Sequence, residues 1–460
     1  MKKILRSVLL IALAVCFAVP VAACNPPAEN SGTKTLQVYI DGQTCLVGFD
    51  DIDQAIQEAE ANLADGYMDD TPHNRAKIEN TKLLRDYIKS QGYALDSLSW
   101  GWGDQLTQKM LAAFLSQQGP DIMFGESQMR TFASQGYFSP YPEDLQAWIV
   151  ENVSPLAYKD MMLDGKIYGA TLDPSISLLV WNKDIVKRAG LDENKAPETM
   201  DEWFANMKAI SDNETLRNEK IFAGGWYAGP NTGGYLRTGA VMRICGGSFK
   251  GDDGAPRVNT AENLVAFEYL NKMASYNFDG VVNAPSESYF FSAFDTGNLA
   301  YMIDGMWTLN NLKALGLNCG YALLPTYEGN SANMLIGAGY MSVPEYSENK
   351  EEAFALIKFM LEEAFQTNIA KAGIRPPVTL SVLQADWYKE QFPQMQEFAT
   401  YGLEHEILGL DSFSQGDTAG IWTEFGKQQS LAIKKGTDIS AMASLLETAQ
   451  TNMMKRYNAK

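Results

Sequence analysis

Side chains able to do chemistry are unevenly supplied in this chain. Histidine occurs only at His73 and His405, each reading as surface or structural. Two isolated imidazoles argue against a His-dependent nucleophilic triad or metal centre. The five cysteines, Cys16, Cys24, Cys45, Cys245 and Cys319, show no C-x-x-C or Cys/His spacing of the kind that holds zinc. Fifty-six Asp and Glu residues are present, but none forms a recognisable frame for the paired carboxylates of glycoside hydrolysis, and composition alone leaves such a pair open. Arg237 and Arg243 have two readings, anion contact or inter-element salt bridge. What the chain has in quantity is flat apolar surface. Aromatics make up 11% of it, and Ile221–Phe249 gathers Trp226, Tyr227 and Tyr235 ahead of Gly246-Gly247. No Gly-Lys-Ser/Thr follows, so this is not a phosphate loop. Aromatics are core residues by default. They bind ligand where a molecule with C–H faces and a hydroxyl rim, such as a sugar, meets flat rings beside carboxylates or amides.

The elements that must position such groups follow from periodicity. Ile176–Trp181 is a nearly continuous apolar run, which predicts a strand buried on both faces. Asn182 is placed to cap the short helix that follows, and Gly190 to end it. Thr199 and Glu202 have capping-box spacing, opening a helix with Trp203, Phe204, Met207 and Ile210 as its apolar stripe. Upstream, Leu36–Ile40 reads as a first strand ending at Asp41-Gly42. Residues 43–79 read as an acidic helical insertion with Ile52, Ile56, Ala59 and Leu63 inward, and the next helix is expected from about Asn80. Leu95–Trp102 reads as a second strand, with Asp104 capping a helix behind it. Glu348–Phe365 and most of the last hundred residues read as helical.

Several stretches resemble the extracellular solute-binding proteins of the maltodextrin-binding type, which serve ABC sugar importers. They are Gly165-Lys166-Ile167-Tyr168-Gly169 leading through the strand to Asn182-Lys183-Asp184, then Gly119-Pro120-Asp121-Ile122-Met123-Phe124, and Phe294–Trp307 with Gly297, Ala300, Met302, Gly305 and Trp307 in the family's order. The likeness covers roughly 35–40 and 80–430. It implies an α/β, two-lobed periplasmic-binding-protein-like fold of type II, with mixed sheets flanked by helices around a hinged cleft. The implied lobes are discontinuous: 35–173 plus 339–385, and 174–338 plus 386–460. Ligand contacts carried over by position are Trp307, Trp226, Tyr227, Tyr235, Trp422, Glu126, Gln128, Asp41 and Ser175. The family position at Ser175 is often a carboxylate, and the 43–79 insertion stands directly after Asp41.

The bulk properties fit that likeness. A chain of 460 residues, 46% hydrophobic and 20% charged, can hold two or three domains with full cores. Its net charge of −19 repels nucleic acid and anionic lipid. Lys2, Lys3 and Arg6 precede an apolar run, Val8–Val21, that is too short for a stable membrane span. That run ends Val21-Ala22-Ala23-Cys24, similar to a bacterial lipobox. Residues 1–23 are then a signal peptide, Cys24 the lipidated first mature residue, and 24–34 a polar tether. An ordinary secretory leader cut near Ala23 is the other reading. Three functions fit: a lipid-anchored binding protein that hands a neutral oligosaccharide to permease subunits, a surface glycan-degrading enzyme, and a glycan-binding adhesin or scaffold. The first is the expectation, with no catalysis, no cofactor, no metal and a monomeric state outside the cytoplasm at the cell membrane. Cys24→Ala should release the protein from the membrane fraction; retention there would overturn the lipobox reading.

Overall fold

The central strand of one half of the molecule is built from six consecutive buried residues, Ser177–Asn182. It is β6 in a chain order that begins with β1 (Lys34–Val38), β2 (Tyr93–Ser97), β3 (Met123–Gly125), β4 (Met162–Leu163) and β5 (Lys166–Ile167), and continues with β7 (Phe222–Gly225), β8 (Leu299–Gly305), β9 (Cys319–Ala322) and β10 (Tyr340–Ser342). This computed structural model describes residues 34–40, 45–48, 51–101, 103–126, 128–225, 227–277, 282, 284, 288–331, 333, 339–405, 409–410, 413, 416–434 and 436–459. The leader, Cys24 and the tether up to residue 33, Asp41 and Trp226 lie outside the described residues, while Lys34, the last residue assigned to the tether, begins β1.

β6 lies between β8 and β9, antiparallel to both, and β7 joins β8 in parallel, giving the order β7-β8-β6-β9. An interior strand covered on both faces has no polar side to alternate with, which is why its sequence is a run. The local signals around it hold. Asn182 Oδ1 accepts from the Asp184 and Ile185 amides at 3.0 and 3.2 Å, and Gly190 leaves the helix at φ 79°. Thr199 Oγ1 accepts from the Glu202 amide at 3.1 Å, but Glu202 reaches back to the Glu198 amide, one residue short of a reciprocal box. Trp203, Met207 and Ile210 are fully buried, while Phe204 is half-buried.

In the other half, β1 and β2 are parallel, and Val38 bridges in parallel to Ile122, just before β3. β3 pairs antiparallel with β10, and β4 with β5. The short run 170–176 carries the chain from this half into β6, and the chain returns between β9 and β10.

The acidic segment forms the helix Ile52–Ala64, capped by Asp51, with Ile56 and Ala59 buried and Ile52 and Leu63 half-buried. The following helix is Pro72–Gln91 and so starts before the expected Asn80. The reason is local: Thr71 caps it and Pro72 occupies the first helical position, where a missing N–H costs nothing. Its Lys82, Arg85 and Lys89 face Glu60 and Asp53, so the acidic helix meets a basic one. Two smaller corrections have similar causes. β2 begins at Tyr93, directly after the left-handed Gly92, and Asp104 lies inside the helix Gly103–Ser116 instead of capping it. Cys245 and Cys319 are free thiols, and Cys45 is buried. Among the described residues no helix is long and apolar enough to cross a membrane.

Ile56→Ala should lower the urea unfolding free energy by about 2–5 kcal/mol and expose 51–91 to limited proteolysis. Rapid cleavage there in the native protein would show instead that the insertion is not packed.

Candidate ligand site

Both halves send strand ends toward the crossing segment. β7 and β8 run in parallel and end at Gly225 and Gly305. Gly305 pairs with Ser177 at the start of β6. Just past it, the Trp307 indole is folded back onto the glycine: a Cβ at Gly305 would lie 1.9 Å from the nearest ring carbon. Trp307 is half-buried. Its ring is therefore seated on backbone, while the residue as a whole keeps partial exposure. The turn beneath is held by Ser175, whose Oγ accepts from the Met306 amide at 2.9 Å. Ser175 is fully buried, so its hydroxyl holds the platform turn.

The other aromatics of this half form one cluster. Tyr235, on the helix Thr232–Ile244, stacks on Trp422 at 5.0 Å between centroids and 20° between planes. Phe249 meets Trp422 edge-on at 4.9 Å, and Phe413 lies at 5.4 Å. Tyr235 is buried and Trp422 half-buried, so Trp422 is the member with ring surface left to offer. Tyr227 is fully buried, its hydroxyl accepting from Asn231 Nδ2 at 2.6 Å. Burial leaves Tyr227 and Tyr235 little ring surface to offer a ligand in this conformation.

In the first half, β1, β2 and the 122–125 strand point their carboxyl ends the same way, the edge at which open α/β sheets bind ligands. Glu126 and Gln128 follow β3 directly and are half-buried. The loops after β1 and β2 are locked to each other: the Tyr39 hydroxyl donates to the Gly101 carbonyl, and its ring stacks on Trp100 at 5.8 Å. Gly125 pairs with Tyr340, whose neighbour Met341 bridges to Ala170 at the start of the crossing. Behind this edge Asp160 is buried, its carboxylate accepting from the Tyr340 hydroxyl at 3.0 Å. Burial pushes its carboxyl above the ordinary range, against the opposing pull of the Arg130 charge.

Arginine is largely committed. Arg237 pairs with Asp304 at 2.8 Å, Arg375 with Asp173 at 3.4 Å, and Arg130 donates to the Asp160 and Met162 carbonyls. Arg243 donates to the Gly409 carbonyl at 2.9 Å. His405 stacks on Tyr401, and among the described residues no cluster of His, Cys, Asp and Glu could hold a metal ion.

Tyr289 is an aromatic that the sequence pattern does not single out. It is 61% exposed beside Phe290, whose ring packs against Gly225 at the end of β7. A run of aromatics such as Ser288-Tyr289-Phe290-Phe291 reads as core, and only the helix direction shows that one of them faces out.

The model of the bacterial extracellular solute-binding protein family matches residues 97–367, which is more than half of the chain. The chain belongs to that family. Among relatives, the galactooligosaccharide-binding protein of Bacillus subtilis (strain 168) is 24% identical over 251 residues, covering 53% of this chain and 57% of that protein. The chain thus spans little more than half the length of that relative. The sn-glycerol-3-phosphate-binding periplasmic protein UgpB of Brucella melitensis is 25% identical over 329 residues, covering 67% of this chain and 74% of that protein. An ABC transporter solute-binding protein from Thermotoga lettingae TMO, bound with alpha-D-tagatose, superposes with a TM-score of 0.69 at 19% identity. The match covers 92% of this chain and all of that one. This solute-binding protein therefore has the two-lobed type II periplasmic-binding-protein-like fold.

Trp203 and Trp307 should separate cleanly. Trp203→Ala, emptying a fully buried site, should cost about 3–5 kcal/mol. Trp307→Ala should leave the unliganded melting temperature close to native. An equal loss in both, by urea denaturation, would make Trp307 a core residue.

Proposed function

We propose that this protein captures a carbohydrate, a neutral oligosaccharide, between its lobes and delivers it to the permease subunits of an ABC transporter, held at the outer face of the membrane by a lipid on Cys24. The observation that carries this reading is the Trp307 indole, seated on Gly305 at the carboxyl end of β8 in a residue that is only half-buried. A flat apolar face backed by main chain is suited to the C–H surface of a sugar. Trp422 supplies a second partial face, and Glu126 and Gln128 supply hydrogen-bonding groups from the opposite lobe. Trp226 and Asp41 stand at the ends of β7 and β1 in the chain and belong to the same proposal. Tyr227, Tyr235 and Ser175 act as supports behind these groups.

A strongly anionic ligand fits less well. Among the described residues Arg237, Arg375, Arg130 and Arg243 all donate to internal acceptors, and the chain carries a net charge of −19. The galactooligosaccharide relative supports the sugar class, whereas the glycerol-phosphate relative defines the competitor to be tested. The lobes are assigned as 35–173 with 339–385 and 174–338 with 386–460. Ligand bridging both would favour the closed state by contacts absent from the open one. The protein acts as a monomer and leaves its ligand chemically unchanged.

A thermal-shift screen of neutral oligosaccharides, with sn-glycerol-3-phosphate beside them, tests the reading. A sugar hit at a hundred times its Kd should stabilise the fold by about 2.7 kcal/mol, shrink the radius of gyration in small-angle scattering, and be recovered intact. Trp307→Ala should weaken that hit about tenfold, on the scale of about 1.4 kcal/mol per decade. A shift with glycerol phosphate alone would replace the sugar reading, and a shortened sugar would make the protein an enzyme.

A further inference from the structure

Arg237 and Asp304 are the most deeply buried ion pair among the described residues, with side-chain exposures of 1% and 0%. Such a pair is a poor source of stability, because desolvation of both charges offsets their attraction. What it does provide is geometry. The guanidinium reaches three points at once: Nη2 donates to Asp304 Oδ1 at 2.8 Å, Nε to the Ile303 carbonyl at 3.3 Å, and Nη1 to the Gly233 carbonyl at 3.0 Å. Ile303 and Asp304 are the residues of β8 immediately before Gly305. Gly233 lies in the first turn of the helix Thr232–Ile244. Phe290 and Phe291 hold the guanidinium from the sides, each ring centroid 5.4 Å from its carbon, and Phe290 also packs against Gly225 of β7.

The helix end is fastened in turn to the loop before it. Asn231 accepts from the Gly234 amide and donates to the Tyr227 hydroxyl, and Gly234 abuts Gly229 so closely that a Cβ would lie 2.0 Å from the Gly229 carbonyl oxygen. A single planar side chain therefore joins the end of β8, the end of β7 and the helix that carries Tyr235.

We propose that Arg237 and Asp304 are positioning residues, which fix the end of β8, and with it the Trp307 indole, relative to the Tyr235 helix. Neither is exposed enough to touch a ligand, so they act through Trp307; this rests on Trp307 being the ligand platform. Lysine could keep the charge pair, but an ammonium on a flexible stem lacks the rigid fork that holds several acceptors in fixed geometry.

The test uses the ligand-free protein labelled with 5-fluorotryptophan, with the Trp307 and Trp203 fluorine resonances assigned through W307F and W203F. In R237M/D304L the pair is replaced by apolar side chains, a change that is often neutral or stabilising. The melting temperature should stay near native while the Trp307 resonance moves by more than its linewidth and that of Trp203 does not. R237K should move the Trp307 resonance in the same selective way. An unmoved Trp307 resonance in folded R237M/D304L overturns the proposal, as does an equal movement of Trp203, which would signal general loosening. If the double variant does not fold, R237K decides by the same two resonances. No sugar enters this measurement, so its failure removes the positioning role and leaves the binding reading standing. A blank glycan screen does the reverse.

Discussion

From Gly169 to Asn182 every residue is buried, and the two-lobed architecture depends on that stretch being accommodated. It leaves one set of strands, crosses to the other and becomes its central strand, so water is not available to satisfy its polar groups. Several are met from both lobes, although the Thr171 hydroxyl is buried without a hydrogen-bond partner. Gln366 Nε2 donates to the Leu172 carbonyl and Arg375 Nη1 to that of Asp173, both from the chain beyond β10. The Asp173 carboxylate is met by the same Arg375. From Ser175 onward the partners change sides: its hydroxyl takes the Met306 amide, and Ser177 pairs with Gly305. Pro174 is the residue between the two sets of anchors. The two sets of anchors on the crossing are thus separated by a single residue, which confines any relative rotation on this strand to a very short piece of backbone.

The same economy shapes the site. Trp307 lies against Gly305 because that position has no side chain, and Gly305 stands where it does because β8 is pinned by β6. The aromatic cluster around Trp422 is built differently, from ring-on-ring contacts between separate helices and loops. One platform depends on backbone register and the other on side-chain packing. They should therefore respond to different substitutions, the first to changes in strands and the second to changes in ring volume.

Much of the fold was legible because its signals are local. The Ile176–Trp181 run, the Asn182 cap and the Gly190 exit each follow from the chemistry of a few neighbouring residues, and each appears in place. The helix at Pro72 was misplaced because Thr71-Pro72 was outweighed by the apolar positions farther along. Asp104 was misread because an acidic residue near a helix start suits both the cap and the first turn. The site was less legible. Residue type marks an aromatic or a hydroxyl as able to meet a ligand, but exposure is a tertiary property. Tyr227 and Ser175 are turned inward by Asn231 and Met306, and Tyr289 is turned outward within a run that looks uniformly apolar.

The three described cysteines carry a consequence for life outside the cytoplasm, the location of this family. Secreted proteins meet oxidants, and an unpaired thiol there is vulnerable to the extent that it ionises, since the thiolate is the reactive form. Burial pushes the thiols of Cys245 and Cys319 up to about 12, so the thiolate is a minor form at either site at neutral pH. Cys45 is enclosed as well. At Cys245 and Cys319 packing thereby lowers the reactivity of the thiol toward oxidants.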